Sequence, residues 1–149
     1  MRNVIISGAD GFVGSYTVAK FLEEGLQVLA LDVSENACRL ESNNNMIYIQ
    51  CDISNLAEIR SKIPYGKYDT FIHFAWAGSA GSERMDYNLQ MRNAINTVEC
   101  MKMAKELGCS RFVGAGSIME YEVEAAIHTQ GSHPGMGYIY GMGKHIAHC

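Results

Sequence analysis

The sequence predicts an α/β fold in which helices cover both faces of a parallel β-sheet. Two observations carry that prediction. Short, near-continuous apolar runs alternate with longer amphipathic ones along the chain, the pattern of strands buried on both sides and of the helices that bury them. A glycine triplet, Gly8, Gly11 and Gly14, stands at the first junction between the two kinds of run. Right-handed crossovers then restrict the alternation to a doubly wound, Rossmann-like arrangement.

Taken in order, Asn3-Val-Ile-Ile-Ser7 reads as a buried strand, followed by the glycines and a helix from about Phe12 to Glu24. Gly25 closes that helix, as glycine commonly does just past a C-terminus. Gln27 to Asp32 is a second strand and Met46 to Cys51 a third. Asn55 to about Ile63 forms a short helix with Ser54 as its cap. Tyr68 to Phe74 supplies a fourth strand, and about Asp86 to Leu107 a long helix ended by Gly108. Arg111 to Ala115 is the fifth strand. Residues 122–137, with His128 and His133, read as a loop, and a final helix begins near Tyr138.

A chain of 149 residues with 48% hydrophobic and 19% charged residues is one globular domain, residues 1–149, able to bury a core. Its net charge of −4 argues against a nucleic-acid partner. The five cysteines are scattered and form no CxxC, which disfavours a disulfide framework or zinc site and points to a reducing cytoplasm. No apolar run is long enough for a signal-peptide core or a membrane span.

Glycines between a strand and a helix permit a tight turn, close backbone approach to a phosphate, and close helix–strand packing. The helix N-terminus beyond them directs free N–H groups and a positive dipole end at a pyrophosphate. Asp32, at the end of the second strand, can accept hydrogen bonds from an adenosine ribose and would repel a 2′-phosphate, so NAD is favoured over NADP. No arginine directly follows Asp32; Arg39 is the nearest. Asp52, directly after the third strand, is a second candidate at the adenine end, or else a turn carboxylate.

At the other end of the chain, Tyr140 and Lys144 are spaced to share one helix face. An ammonium near a phenol stabilises the phenolate, and such a tyrosine can exchange a proton with a substrate hydroxyl. Ser117 follows the fifth strand at the carboxyl edge of the sheet, where doubly wound folds bind ligands. Its hydroxyl can polarise the oxygen that Tyr140 serves.

These residues resemble the extended short-chain dehydrogenase/reductases, in particular their NAD-dependent epimerase/dehydratase branch. Ile6-Ser-Gly-Ala-Asp-Gly-Phe-Val-Gly-Ser15 looks like that branch's opening fingerprint, which places Phe12 and Val13 with the glycines at the cofactor. Cys51-Asp-Ile53 matches its adenine-contacting Asp with a hydrophobic residue. His73-Phe-Ala-Trp-Ala77 stands where the family lines the cofactor, which assigns Phe74, Ala75 and Trp76 there. Asn93-Ala-Ile-Asn-Thr97 is similar to its Asn-x-x-Gly-Thr, making Asn93 the structural and proton-relay asparagine. Arg111 to Ser117 with Tyr121 resembles the strand ending in the catalytic serine, and Tyr140-Gly-Met-Gly-Lys144 its Tyr-Gly-x-Ser-Lys.

The resemblance implies a nucleotide-sugar substrate and Tyr/Lys-assisted hydride transfer, most simply of the epimerase type. A carbonyl reductase of the same family, or a non-catalytic dinucleotide-binding fragment, is the alternative. It further implies a homodimer paired through the helix near residues 86–107 and the final helix, with Met85, Met91, Met101 and Met103 as candidates for that face unless they pack a core. Trp76 departs from a small alanine, and Gly116 and Gly143 replace serines. Dehydratases carry Asp-Glu just after the catalytic Ser or Thr; Ile118 and Met119 stand there, and Glu120 is expected to point elsewhere. Family members are longer, so the chain reads as a truncated member without the C-terminal substrate-binding part, its fifth strand left with an open edge. His145, His148 and Cys149 are weak metal-ligand candidates with no carboxylate partner in view, so no metal is expected.

Overall fold

The structure is a computed structural model that describes residues 2–130 and 135–149. Five parallel strands form one sheet: β1 (Asn3–Ser7), β2 (Gln27–Asp32), β3 (Met46–Gln50), β4 (Thr70–His73) and β5 (Arg111–Gly114). Their order is β3-β2-β1-β4-β5. The chain moves outward from β1 through β2 to β3, then returns to β1's other side at β4. That reversal opens the crevice in which doubly wound sheets hold ligands.

The helices are α1 (Phe12–Glu23), α2 (Leu56–Lys62), α3 (Tyr87–Glu106), α4 (Met119–Gln130) and α5 (Ile139–His148), with short 3-10 turns at Gly81–Met85 and Met136–Tyr138. Gly25, at a φ of +76°, ends α1 as expected. Two expectations are corrected. Asn55, not Ser54, caps α2, its side chain accepting the Glu58 N–H. The stretch read as a loop over residues 122–137 is largely helix, because Ser117 and Glu120 nucleate α4, as described below. His128 lies exposed on that helix, and His133 falls outside the described residues. No described helix is long and apolar enough to cross a membrane.

The chain divides into two compact units, Met1–Ala75 with Glu99–Gly114, and Trp76–Val98 with Ala115–Cys149. The first unit carries the whole sheet. Alternation along the strands sends Ile5, Leu29, Leu31 and Phe71 to one face, where they pack with Ile59, Cys100, Met103 and Ala104. Val4, Ile6, Val28, Ala30 and Ile72 face the other side and pack with Ala9 and Val18. Met103 is fully buried here, so it belongs to this core and not to an outer face of α3. In the second unit, α4 and α5 are in close backbone contact: a Cβ on Gly141 would lie 2.7 Å from the Met119 carbonyl.

Phe71 is fully buried at the centre of its cluster and stacks on Phe112 with ring centroids 5.6 Å apart. Phe71→Ala is expected to cost about 3–5 kcal/mol of unfolding free energy, the usual toll of emptying a packed aromatic site. Urea denaturation followed by circular dichroism measures it; a loss under about 1 kcal/mol would contradict this packing.

Candidate functional site

In the first unit, the turn after β1 is built on backbone proximity. Gly8 has a φ of +71°, and a Cβ there would lie 2.6 Å from the Ala75 nitrogen. A Cβ on Gly14 would lie 2.0 Å from the Gly8 carbonyl oxygen. Neither contact is possible for a real side chain, so the turn exists only with glycine at both places. Beyond it, α1 has no side-chain cap on Gly11 and no acidic residue in its first turn. Its first N–H groups are therefore left for an anion. Phe12 and Val13 are exposed beside them, and Phe74 is half-buried at the end of β4.

Asp32 stands where expected, and both its oxygens are engaged. Oδ2 accepts the Asp10 N–H at 2.9 Å and Oδ1 the Ser34 N–H at 3.0 Å. Carboxylate oxygens accept more than one hydrogen bond, so capacity for ribose hydroxyls remains. Asp10, unrecognised in the sequence, is buried and locks the loop after β2: its carboxylate accepts the N–H groups of Cys38 and Arg39 at 3.1 and 2.7 Å. Arg39 answers by donating to the Asp10 carbonyl at 3.1 Å. Burial, with the negative charge of Asp32 and Asp10, pushes the Tyr48 phenol up to about 12, so it stays a neutral donor to the Ser34 carbonyl.

Asp52 accepts the Ser54 N–H at 2.8 Å and closes a turn. Ile53 is partly buried against the Phe71 cluster. His73 is a packed residue: it is buried, shares a 2.7 Å hydrogen bond with Ser7, and lies against Phe112.

The second unit gathers Trp76, Asn93, Ser117, Tyr140 and Lys144. Both amide functions of Asn93 are spent on Ala77, accepting its N–H at 3.2 Å and donating to its carbonyl at 2.8 Å. Asn93 thereby pins the backbone next to Trp76. Lys144 is buried, donates to the Ala115 carbonyl at 2.8 Å, and holds its Nζ 3.7 Å from the Trp76 ring centroid. Burial brings its ammonium down to about 8, against the opposing attraction of Glu120. The Tyr140 ring meets Trp76 edge-on and lies under the Arg84 guanidinium, 4.5 Å away.

Glu120 does not point elsewhere. Its Oε1 accepts the Ser117 N–H at 2.6 Å, while Ser117 Oγ accepts the Met119 N–H at 3.2 Å. These two bonds form a variant of the capping box, Ser-x-x-Glu, with Ser117 Oγ serving the N–H of Met119, and the pattern is a signal readable in the sequence that also predicts the start of α4. The Ser117 hydroxyl proton remains available to a ligand oxygen. Gly116 leaves room for the carboxylate, since a Cβ there would lie 3.1 Å from Glu120 Oε1. Burial pushes the Glu120 carboxyl up, but hydrogen bonds from His148 and the Ser117 N–H prevail and hold it low. The expectation that His145 and His148 lack carboxylate partners is likewise corrected: His148 meets Glu120 at 2.7 Å and His145 lies 3.8 Å from Glu124. Among the described residues, no group of three or more such side chains converges on a metal position.

A sheet reversing beside β1, with a glycine turn and an uncapped helix at that point, defines a doubly wound, Rossmann-like α/β protein. The chain belongs to the NAD dependent epimerase/dehydratase family, whose model matches residues 4–148. It is 25% identical over 134 residues to UDP-glucose 4-epimerase 2 of Arabidopsis thaliana, covering 80% of this chain and 37% of that protein. It is 31% identical over 100 residues to UDP-glucose 4-epimerase of Neisseria meningitidis, covering 58% of this chain and 29% of that protein. The chain thus spans well under half the length of these relatives. In fold it is similar to the Bordetella bronchiseptica enzyme WbmH in complex with NAD+, with a TM-score of 0.78 at 21% identity, covering 99% of this chain and 51% of that one. The UDP-Glc/GlcNAc 4-epimerase of Campylobacter jejuni gives a TM-score of 0.79 at 21% identity, covering 99% and 47%.

Gly14→Ala forces the glycine turn apart and should lower the melting temperature and weaken NADH binding by tenfold or more, read by differential scanning fluorimetry and NADH fluorescence. Lys144 sets a pH trend. Between pH 8 and its ordinary 10.5 the unfolded lysine holds a proton that the folded one has lost, so wild type gains stability relative to Lys144→Met as pH rises through that window. The comparison must be made against the variant, because burial raises the Cys51 thiol to about 11 and Cys100 to about 12, and these favour the opposite trend. Paired urea titrations at pH 7.5 and 10 check it; a constant difference between the two proteins would refute the buried ammonium.

Proposed function

We propose that the chain binds NAD and belongs to an enzyme that transfers hydride to and from a nucleotide-sugar, of the epimerase type. The observation that supports this reading is that Ser117, Tyr140, Lys144 and Asn93 fall in one compact unit, in which the Lys144 ammonium is buried. The first unit fits the cofactor: Gly8 and Gly14 make a cradle that a Cβ would fill, and α1 presents uncapped N–H groups to a pyrophosphate. Phe12, Val13, Phe74 and Ala75 border the same turn, and Asp32 serves the adenosine ribose. The negative charge of Asp32 and Asp10 favours NAD over a cofactor with a 2′-phosphate. Asp52 with Ile53 belongs at the adenine.

When bound, NAD supplies the hydride acceptor and, on the return step, the donor. Tyr140 takes the proton of the sugar hydroxyl as hydride leaves the same carbon, then gives it back. Lys144, four residues on along α5, would supply positive charge to the site and would hold the nicotinamide ribose. Ser117, its backbone held by the capping box, donates its hydroxyl proton to the sugar oxygen. Asn93 fixes the segment at Trp76. A homodimer through α3 and α5 is supported by the exposed Ile95 and Ile146, and the free cysteines suit a reducing cytoplasm.

Titrating the full chain with NADH is expected to give saturable emission changes; no binding at millimolar cofactor would overturn the reading. With UDP-glucose or UDP-galactose, Tyr140→Phe should lower conversion by about 10²-fold or more while NADH affinity holds. Conversion with no net change in NADH absorbance marks epimerisation, and net oxidation marks a reductase.

A further inference from the structure

Trp76 is the chain's single tryptophan, and each part of its indole is engaged within the second unit. The ring N–H donates to Gln90 Oε1 at 2.8 Å. The Lys144 ammonium rests 3.7 Å from the ring centroid. The Tyr140 ring stands edge-on, centroids 6.1 Å apart and planes at 79°. Gln90 is a rigid anchor: it is fully buried, and its amide nitrogen donates to the carbonyls of Gly78 at 2.9 Å and Glu83 at 3.0 Å. A Cβ on Gly143 would lie 3.0 Å from the Gln90 carbonyl, so α5 is held against α3 at the turn carrying Lys144.

An ammonium is a mobile point charge on a flexible stem. Here one donor is taken by Ala115, and the aromatic face confines Nζ without using up a second one. We propose that Trp76, anchored by Gln90, is the positioning residue of the Tyr140–Lys144 pair, its face seating the ammonium and its edge orienting the phenol ring toward the same substrate atom. This rests on the reading of Tyr140 and Lys144 as the proton-transfer pair. The charged or titratable groups near Lys144 are Glu120 from α4, His148 of α5 bonded to that carboxylate, Tyr140 on α5 itself, and Arg84, which covers the Tyr140 ring.

The single tryptophan reports on the contact directly. In the full wild-type chain its fluorescence should show a titration step near pH 8, where burial places Lys144, and the step should vanish in Lys144→Met. Glu120→Gln should move the step to lower pH. NMR of the lysine ε-methylene should show Lys144 rising toward 10.5 in a folded Trp76→Ala chain and staying near wild type in Trp76→Phe. No step in wild type, or an unchanged Lys144 titration in folded Trp76→Ala, overturns the proposal, since the ammonium would then be seated without the indole. If Trp76→Ala does not fold, the wild-type step and Trp76→Phe decide: a Phe variant titrating at 10.5 overturns it. Where the chain turns over substrate, Trp76→Ala should lower kcat at least tenfold with KM nearly unchanged, with partial rescue in Trp76→Phe. Absence of NADH binding in wild type would defeat the proton-transfer reading instead, and the lysine titrations would still show whether Trp76 seats the ammonium.

Discussion

The architecture of the first unit depends on one steric constraint above β1. That strand lies between β2 and β4, and the chain must turn at its end against the backbone leaving β4. Only hydrogen fits in the gap at Gly8, where a Cβ would press on Phe74 and Ala75, and at Gly14, where it would strike the Gly8 carbonyl. The same tightness brings α1 down onto the sheet, so that Val18 can seal the Val4–Ile72 face. Packing and anion site are therefore one construction. The glycines that let the helix close on the sheet also leave its N–H groups bare.

Electrostatics divide the two units. Around the glycine turn the fixed charges are carboxylates, and Asp10 and Asp32 are spent largely on backbone N–H groups. That network holds the loop after β2 without a hydrophobic core of its own, and Arg39 closes it from the other side. In the second unit a buried ammonium, Lys144, is set against a buried carboxylate, Glu120. Lys144 loses its hydration and regains a carbonyl, an indole face and the field of Glu120. Desolvation outweighs these attractions and brings the ammonium down to about 8.

The sheet was legible in the sequence because its strands are buried on both faces and read as uninterrupted apolar runs. Strand bounds shifted by a residue or two, as hydrogen bonding rather than hydropathy ends a strand; β4 is Thr70–His73 although the apolar character extends to Phe74. Gly8, Asp32, Ser117 and Tyr140 all lie at or beside element ends, which the apolar runs and the glycines locate in the sequence. What the sequence reading missed was polar and non-local. Asp10 acts on backbone groups of Cys38 and Arg39, a pairing with no periodic signature. The helix α4 was missed for a different reason: its polar, weakly patterned residues hide it, although Ser117 and Glu120 announce its start.

Glu120 shows why that omission matters for chemistry. A carboxylate beside a serine on such a loop invites a reading as an acid or base. Its oxygens, however, are directed at the Ser117 N–H and at His148, and its carboxyl is held low. It therefore stays ionised and accepts hydrogen bonds, which makes it a poor proton donor at neutral pH. What it offers instead is position and charge: it fixes the backbone that presents the Ser117 hydroxyl, and it keeps a negative field on Lys144. Removing the charge while keeping the shape, as glutamine would, preserves the first contribution and loses the second, so the two are separable in one residue. The capping box thus couples the serine's geometry to the lysine's ionisation through a side chain that need never touch substrate.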